Sequence, residues 1–297
     1  MVRPSSFRTN LQTIENNYFQ NLSKIRDKEI LKKAQDEFDN LVKKIKSFNI
    51  PVNVFQDDLT FDTPDSLFPN NWISFHKNNK IALYPMFAKN RRLERNENVL
   101  KFLESNNVII NSIFDYTIAE KNNQYLEGTG SMVLDRLNKK VYASISERTS
   151  EILIDEFCED FNYMPILFKS YQSHENERKL IYHTNVMMCI ADKYSIICFD
   201  SIDCNVEKNM VLESLEDDCK EIIEINSKQL NSFAGNMIEL VYNNQSHLVM
   251  SNSAYESLSK EQKVKINKYS QIIFSDVSTI EYCGGGSVRC MIAEIFN

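Results

Sequence analysis

The 297-residue chain is 42% hydrophobic, which is enough to bury either two ordinary domains or one large domain built from repeats. Its net charge of −7 argues against a nucleic-acid surface, because proteins that bind nucleic acids neutralise phosphates with clustered Lys and Arg. The seven cysteines form no Cys-x-x-Cys pair and follow no secretory signal, and no apolar run approaches the length of a membrane span. We therefore expect a cytoplasmic chain with free thiols, no disulfide framework and no structural zinc.

The first clear element is a helix over residues 27–47, where apolar residues recur at steps of three and four. An extended stretch over residues 50–56 follows it. The same order of helix and then strand recurs four more times, with helices predicted at 91–106, 149–161, 207–220 and 253–268 and strands at 108–116, 164–171, 222–225 and 271–277.

A short polar motif and a β-hairpin separate each of these strands from the next helix. The hairpin turns are predicted at residues 77–80, 138–140, 192–193 and 243–245. One residue in each motif marks the repeat, and successive markers lie 56, 56, 53 and 54 residues apart: Asn71, Glu127, His183, Asn236 and Cys290.

A repeat of this length predicts modules that each bury a face on the neighbouring module, as in a ring or solenoid. The fifth module is divided, with its motif and one strand at the C-terminus and an extended segment (residues 1–7), a helix and a strand at the N-terminus. We predict that the two terminal segments pair and close a five-bladed α/β propeller of strand-strand-helix-strand modules, forming one domain over residues 1–297. In such a ring the five marker residues converge on a central pocket.

The glycine-rich stretch Cys283-Gly-Gly-Gly-Ser-Val-Arg-Cys-Met291 holds three of only six glycines in the chain. Consecutive glycines permit positive φ and a close approach of the backbone to a ligand. We interpret Cys290 as a nucleophile presented at the start of a strand, and the alternative is a buried cysteine after a glycine loop. Convergence with His183 and Glu127 favours the nucleophile, because a thiol, an imidazole and a carboxylate are the parts of nucleophilic catalysis.

These motifs together resemble those of the guanidino-group-modifying superfamily of five-bladed α/β propellers, which includes arginine deiminases, dimethylarginine dimethylaminohydrolases and amidinotransferases. The resemblance covers nearly the whole chain and is nearest to the branch of citrulline-utilisation hydrolases. It rests on four segments: Leu126-Glu-Gly-Thr-Gly-Ser-Met-Val-Leu-Asp135, Tyr182-His-Thr-Asn-Val-Met-Met188, Phe233-Ala-Gly-Asn-Met237 and Gly284-Gly-Gly-Ser-Val-Arg-Cys-Met291.

The resemblance implies that Cys290 is the nucleophile, that His183 is the general acid and base, and that Glu127 is the acidic partner. It also implies a substrate-binding set, in which two arginines hold the α-carboxylate of the substrate: Asp65, Asn71, Arg91, Arg148 and Asn185.

The sequence departs from the superfamily pattern at positions that would face a cationic substrate. Asn71 stands where dimethylarginine hydrolases have a second aspartate, Gly130 stands in place of the aspartate in Glu-Gly-Gly-Asp, and Asn185 stands in place of the aspartate in His-Leu-Asp. An amide can donate to a carbonyl oxygen, which suits a neutral ureido group.

We therefore predict a cysteine-dependent hydrolase that cleaves a C–N bond at the guanidino or ureido carbon of an arginine-like amino acid, with citrulline preferred. The alternatives are an arginine deiminase or dimethylarginine dimethylaminohydrolase, an amidinotransferase, and a non-catalytic ring-shaped binding protein. The partner is a small amino acid, with no cofactor, metal, nucleic acid or membrane, and formation of a homodimer is left open.

Overall fold

A computed structural model describes residues 1–296 as a mixed α/β fold of small sheets. The chain divides into two compact units. The first unit contains Met1–Gly128 together with the segment from Ser275 onward, and the second contains Thr129–Phe274. Within residues 1–296, no helix is both long and apolar enough to cross a lipid bilayer.

The first unit begins with a short strand β1 (Val2–Arg3), a long helix α1 (Asp27–Lys46) and a second short strand β2 (Phe55–Gln56). β1 pairs with β2 in parallel. The helix predicted over residues 27–47 is confirmed to within one residue. Its apolar stripe is buried, its first turn contains acidic residues and its last turn contains lysines, which stabilises both ends. The two predicted extended segments are much shorter as strands than expected, since only two residues of each pair.

The next module of the first unit is a three-stranded sheet with its helix. It contains β3 (Ile73–His76), β4 (Lys80–Leu83), α2 (Glu97–Ser105) and β5 (Ser112–Asp115). β4 lies in the middle, antiparallel to β3 and parallel to β5. The predicted helix over residues 91–106 is wrong in its first part: residues Asn90–Glu94 form a 3-10 turn, and α2 starts only after Asn96, whose side chain accepts from Asn98 N at 2.9 Å.

The second unit repeats this module three times. Its first sheet follows the four-residue helix α3 (Gly128–Ser131) and contains β6 (Met132–Asp135), β7 (Lys140–Ser144), α4 (Glu151–Phe161) and β8 (Met164–Phe168). A hairpin that the sequence analysis did not predict follows, formed by β9 (Tyr171–His174) and β10 (Glu177–Leu180). The second sheet contains β11 (Met188–Ile190), β12 (Tyr194–Ile197), α5 (Asn205–Asp217) and β13 (Glu221–Glu224).

The last module of the second unit begins after the short helix α6 (Ser227–Asn231). It contains β14 (Ile238–Tyr242), β15 (Gln245–Ser251), α7 (Asn252–Ser257), α8 (Lys260–Asn267) and β16 (Gln271–Ser275). The single helix predicted over residues 253–268 is wrong, because the chain breaks at Leu258 and restarts with a capping box in which Ser259 and Gln262 satisfy each other's backbone N–H groups.

The four three-stranded sheets confirm the predicted repeat of two strands, a helix and a strand. The predicted hairpin turns are also confirmed. Asparagine, rather than glycine, takes the left-handed conformation in two of them, at Asn78, Asn79, Asn243 and Asn244. A chain with few glycines forms its tight turns with the other residue that tolerates positive φ.

The closing segment of the first unit contains α9 (Ser278–Gly284) and a 3-10 turn over Val288–Met291. The strand predicted after Cys290 is wrong for residues 292–296, which form no regular element. Ala293, Ile295 and Phe296 instead pack their side chains on the core that Trp72 and its neighbours form beneath β3 and β4. Cys290 therefore lies within a 3-10 turn and not at the start of a strand.

Candidate active site

The glycine-rich loop that precedes the candidate nucleophile is tightly packed. Gly285 has φ of 62° and caps α9, and its N–H donates to Glu281 O at 2.9 Å. A Cβ added at Gly285 would lie 2.6 Å from the side chains of both Asn17 and Gln20. The positive φ predicted for this loop is confirmed at Gly285, where the backbone conformation and the close neighbours both require glycine.

Cys290 follows this loop and is buried, with 2% of its surface exposed. Its backbone N–H donates to Ser287 O at 3.0 Å, which closes the 3-10 turn. None of the seven cysteines forms a disulfide within residues 1–296. The structure thus presents Cys290 as a reduced side chain on a tightly packed turn.

Two further motif turns of the first unit meet the turn of Cys290. The turn Pro69–Asn71 packs against Val288–Met291. A Cβ at Gly128 would lie 2.4 Å from Asn70 O and 3.0 Å from Asn71 O, so the loop that carries Glu127 lies directly on the turn that carries Asn71. Three of the five marker residues, Asn71, Glu127 and Cys290, therefore lie on loops that pack together within this unit.

Arg91 is buried beside these loops in a cluster of carboxylates. Its guanidinium makes a bidentate pair with Glu94, with Nε at 2.8 Å from Oε1 and Nη2 at 2.9 Å from Oε2. Asp65 Oδ2 lies 3.8 Å from Nε, and Glu127 Oε2 lies 3.8 Å from Nη1. Three buried carboxylates thus surround one guanidinium, an arrangement that leaves an excess of negative charge.

Burial and the neighbouring charges together determine the pKa values of Glu94 and Arg91. Burial raises the pKa of Glu94 to about 7, and this effect outweighs the opposing attraction of Arg91. For Arg91, burial acts to lower the pKa, but Glu94 and Asp65 raise it by more, so the guanidinium stays protonated. A further cation would be stabilised here, whereas a further carboxylate would be repelled.

The side-chain amide of Asn71 is oriented by Arg91. Asn71 Oδ1 accepts from Arg91 Nη1 at 2.8 Å, which turns Nδ2 away from the guanidinium. Nδ2 is buried and has no hydrogen-bond partner among residues 1–296. Asn71 therefore offers a donor to a ligand and not an acceptor, and a buried donor favours a ligand that can accept from it.

Glu127 is held by the backbone of the first unit. It is fully buried, and its Oε1 accepts from Phe87 N at 3.0 Å, whereas Oε2 faces Arg91. Arg91 itself donates to Glu94, Asn71 and Phe68 O, so most of its N–H groups are already in use. Its predicted contact with the substrate α-carboxylate stays a prediction, and the surrounding carboxylates oppose it.

The second unit holds the remaining predicted residues. His183 is buried and lies against Tyr182, with ring centroids 4.5 Å apart and ring planes tilted by 43°. The guanidinium of Arg148 lies over the same Tyr182 ring at 4.9 Å. Arg148 is one of the largest fully buried side chains of the protein. A buried arginine and a buried histidine thus share one aromatic ring, which brings a predicted anion-binding residue next to the predicted acid and base.

The motif turns of the second unit also contact one another. Thr184 Oγ1 donates to Ser131 O at 2.5 Å, and Asn236 Nδ2 donates to Asn185 O at 2.9 Å. These bonds connect the turn after His183 with the motifs before and after it in the repeat. They are the contacts between consecutive motifs that the predicted repeat requires.

The sequence analysis missed two features of the candidate site. Glu94 belongs to the carboxylate cluster, and the N-terminal segment also reaches it, since Asn10 Nδ2 donates to Asp65 Oδ2 at 2.8 Å. The spacing Arg91-x-x-Glu94 was a signal for Glu94, because residues three apart in a helical turn face the same side.

No group of three His, Cys, Asp or Glu side chains within residues 1–296 is arranged to hold a metal ion.

The repeat of sheet modules, with a buried Cys290 turn that packs on the Asn71 turn, fits the guanidino-group-modifying superfamily. Within it, a family model described as "N,N dimethylarginine dimethylhydrolase, eukaryotic" matches residues 3–297, and the chain belongs to this family. By family the chain is an enzyme, a hydrolase that acts on carbon–nitrogen bonds other than peptide bonds. No curated protein matches the chain by sequence.

Solved structures support the fold. The product-bound N-terminal domain of ArgZ, an arginine dihydrolase from the ornithine–ammonia cycle in cyanobacteria, matches with a TM-score of 0.73 at 15% identity, covering 98% of this chain and 94% of that domain. A complex of the AgrE protein with L-arginine matches at 0.75 and 14%, covering 100% of this chain and 40% of that one. A dimethylarginine dimethylaminohydrolase adduct matches at 0.60 and 14%, covering 88% and 90%. The chain spans 37% of full-length ArgZ. At these identities the comparisons show a common fold.

Proposed function

We propose that this protein hydrolyses a C–N bond at the guanidino carbon of an arginine-like amino acid, with Cys290 as the nucleophile. The observation that carries the proposal is the position of the buried Cys290 turn, which packs on the Asn71 turn in the same unit as the carboxylate cluster. A guanidinium needs a nucleophile at its carbon and carboxylates at its N–H groups, and this unit supplies both.

The proposed reaction uses His183 as the proton carrier. The Cys290 thiolate attacks the guanidino carbon and forms a C–S bond, and the departing nitrogen takes a proton from His183 as the C–N bond breaks. Water then attacks the thiouronium carbon, gives its proton to His183 and displaces the thiolate. The proposal includes the closed ring of five modules, which would bring His183 to Cys290.

The charged residues of the site suggest which group of the substrate each of them binds. The guanidinium end suits Asp65 and Glu127, because their charge exceeds what Arg91 neutralises. We assign the α-carboxylate to Arg148, whose buried guanidinium lies over the ring of Tyr182 beside His183. Arg91 then acts through Asn71, whose amide it holds in place.

Citrulline is the second candidate substrate, and the specific observation in its favour is the amide of Asn71. The Nδ2 donor of Asn71 matches the carbonyl oxygen of a ureido group, whereas a guanidinium has only donors to offer. Asn185, in the second unit, was predicted to act in the same way, and its role stays a prediction. The preference for citrulline that the sequence suggested competes with the negative charge of Asp65 and Glu127 beside Arg91.

The test is a parallel assay of arginine, dimethylarginine and citrulline with the wild-type protein and the Cys290→Ser variant. We expect turnover of arginine or a methylarginine by the wild type and none by the variant. Turnover of none of the three would contradict the proposal, and formation of guanidinoacetate when glycine is added would show amidino transfer instead of hydrolysis.

A further inference from the structure

The nucleophile turn is connected to a buried carboxylate that the proposed reaction does not use. Glu281, in α9, is 6% exposed, and its Oε1 accepts from Ser287 Oγ at 2.6 Å. Ser287 is fully buried and is the residue that precedes the turn of Cys290. The short distance is typical of a hydroxyl that donates to an ionised carboxylate.

The side chain of Glu281 spans the glycine loop. The backbone O of Glu281 accepts from Gly285 N at 2.9 Å, and its side chain reaches Ser287 on the far side of the three glycines. Ser287 O in turn accepts from Cys290 N at 3.0 Å. Glu281 thus holds the middle glycine through its backbone and the residue after the third glycine through its side chain, in a loop whose glycines would otherwise give it wide conformational freedom.

Neighbouring groups also confine the loop. Asn17 Nδ2 donates to Gly284 O at 3.3 Å and to Gly285 O at 3.4 Å, which holds the loop before Ser287. A Cβ at Gly286 would lie 3.2 Å from the Phe68 ring and 3.4 Å from Cys290 Cβ, so the backbone of the loop lies close to the side chain of Cys290.

We propose that Glu281 is a positioning residue for Cys290, acting through Ser287. This inference rests on the proposed role of Cys290 and extends it to a residue that does not touch the substrate. A misplacement of a reacting atom by about 1 Å lowers a rate by on the order of 100-fold. Loss of the bond between Glu281 and Ser287 should therefore lower kcat more than it changes KM.

The experiment compares Glu281→Ala, Ser287→Ala, their double variant and Glu281→Gln. We expect the two alanine variants to lower kcat by roughly 10- to 100-fold with KM changed by less than about 3-fold. The double variant should be no slower than the slower single variant, because both remove one connection. Glu281→Gln should keep kcat within about 3-fold of the wild type, since its amide oxygen can still accept from Ser287.

The control is Glu239→Ala, which removes a serine–glutamate bond in the second unit, between Glu239 in β14 and Ser246 in β15, together with the bonds that Glu239 accepts from Ser270 and Asp192 N. We expect a comparable fall in Tm with kcat within about 2-fold of the wild type. If Glu281→Ala and Ser287→Ala behave like Glu239→Ala, the inference is wrong.

A second measurement separates this inference from the proposed function. The rate at which iodoacetamide alkylates Cys290 is followed by peptide mass spectrometry without any substrate. We expect the alanine variants to change this rate by at least about 5-fold in either direction and Glu281→Gln to restore it. An unchanged rate would overturn the positioning role even if the wild type hydrolyses arginine, and a changed rate would support it even if no substrate is turned over.

Discussion

Asn71→Asp tests which substrate the carboxylate cluster and the oriented amide select. Asn71 Oδ1 accepts from Arg91, so aspartate can keep that bond while it replaces the Nδ2 donor with a second oxygen. The variant loses the only group of Asn71 that can donate to a ureido oxygen, and it adds a fourth carboxylate to Asp65, Glu94 and Glu127.

The expected size of the effect follows from the burial of this amide. Leaving a buried carbonyl without its donor costs about 1–3 kcal/mol. Because about 1.4 kcal/mol corresponds to a factor of ten, kcat/KM for citrulline should fall by roughly 5- to 150-fold. The value for arginine should stay level or rise, since the added charge attracts a guanidinium.

The assay is the ratio of kcat/KM for citrulline to that for arginine, which does not depend on the fraction of active protein. Asn70→Asp is the control, because it adds the same charge one residue away in the same turn. The assignment of Asn71 as the donor would be refuted if the ratio changed by less than about 2-fold in Asn71→Asp. It would also be refuted if Asn70→Asp changed the ratio as strongly as Asn71→Asp does.

Three further predictions concern the stability of the fold. Because the pKa of Glu94 is raised from 4.5 to about 7, the folded state keeps a proton that the unfolded state releases. The free energy of unfolding should therefore fall as pH rises from about 4.5 to 7, by on the order of 3 kcal/mol at most. Chemical denaturation should show a flatter pH dependence of this free energy in Glu94→Gln than in the wild type, and identical slopes would contradict this. Gly285→Ala should lower the free energy of unfolding by about 2 kcal/mol or more, because φ is 62° and the added Cβ would clash with Asn17. An unchanged Tm would show that alanine fits at this position without strain and would contradict the prediction. Lys220 Nζ lies 2.9 Å from Asp135 Oδ2, and both side chains are buried. Lys220→Met should therefore lower the free energy of unfolding by roughly 3–5 kcal/mol, because it leaves the carboxylate without its cation. A Tm equal to that of the wild type would contradict this.

The regular part of the fold could be read from the sequence because its signals are local. The apolar stripe of α1 repeats every three to four residues, and the polar motifs recur at a nearly constant interval. The first signal lies within one helix, and the second needs only the positions of the motifs along the sequence. The end of the chain could not be read in this way: an apolar run such as residues 292–296 suits a strand or a packed coil equally well, and only the core around Trp72 decides between them.

The candidate site was predicted residue by residue, but its charge was not. The positions of Asp65, Arg91 and Glu127 do not reveal that all three share one cluster with Glu94. The direction in which the Asn71 amide points also depends on a contact with a residue 20 positions away. Charge balance and side-chain orientation are properties of the packed structure, and they bear most directly on the choice of substrate.

The central claim is that Cys290 forms a covalent bond to the guanidino or ureido carbon. The most direct measurement is mass spectrometry of the wild-type protein that has been mixed with substrate and quenched in acid during turnover. The account predicts an adduct on the peptide that contains Cys290, and neither adduct nor turnover in Cys290→Ser. Turnover by Cys290→Ser at the wild-type rate, with no adduct on the wild-type peptide, would contradict it.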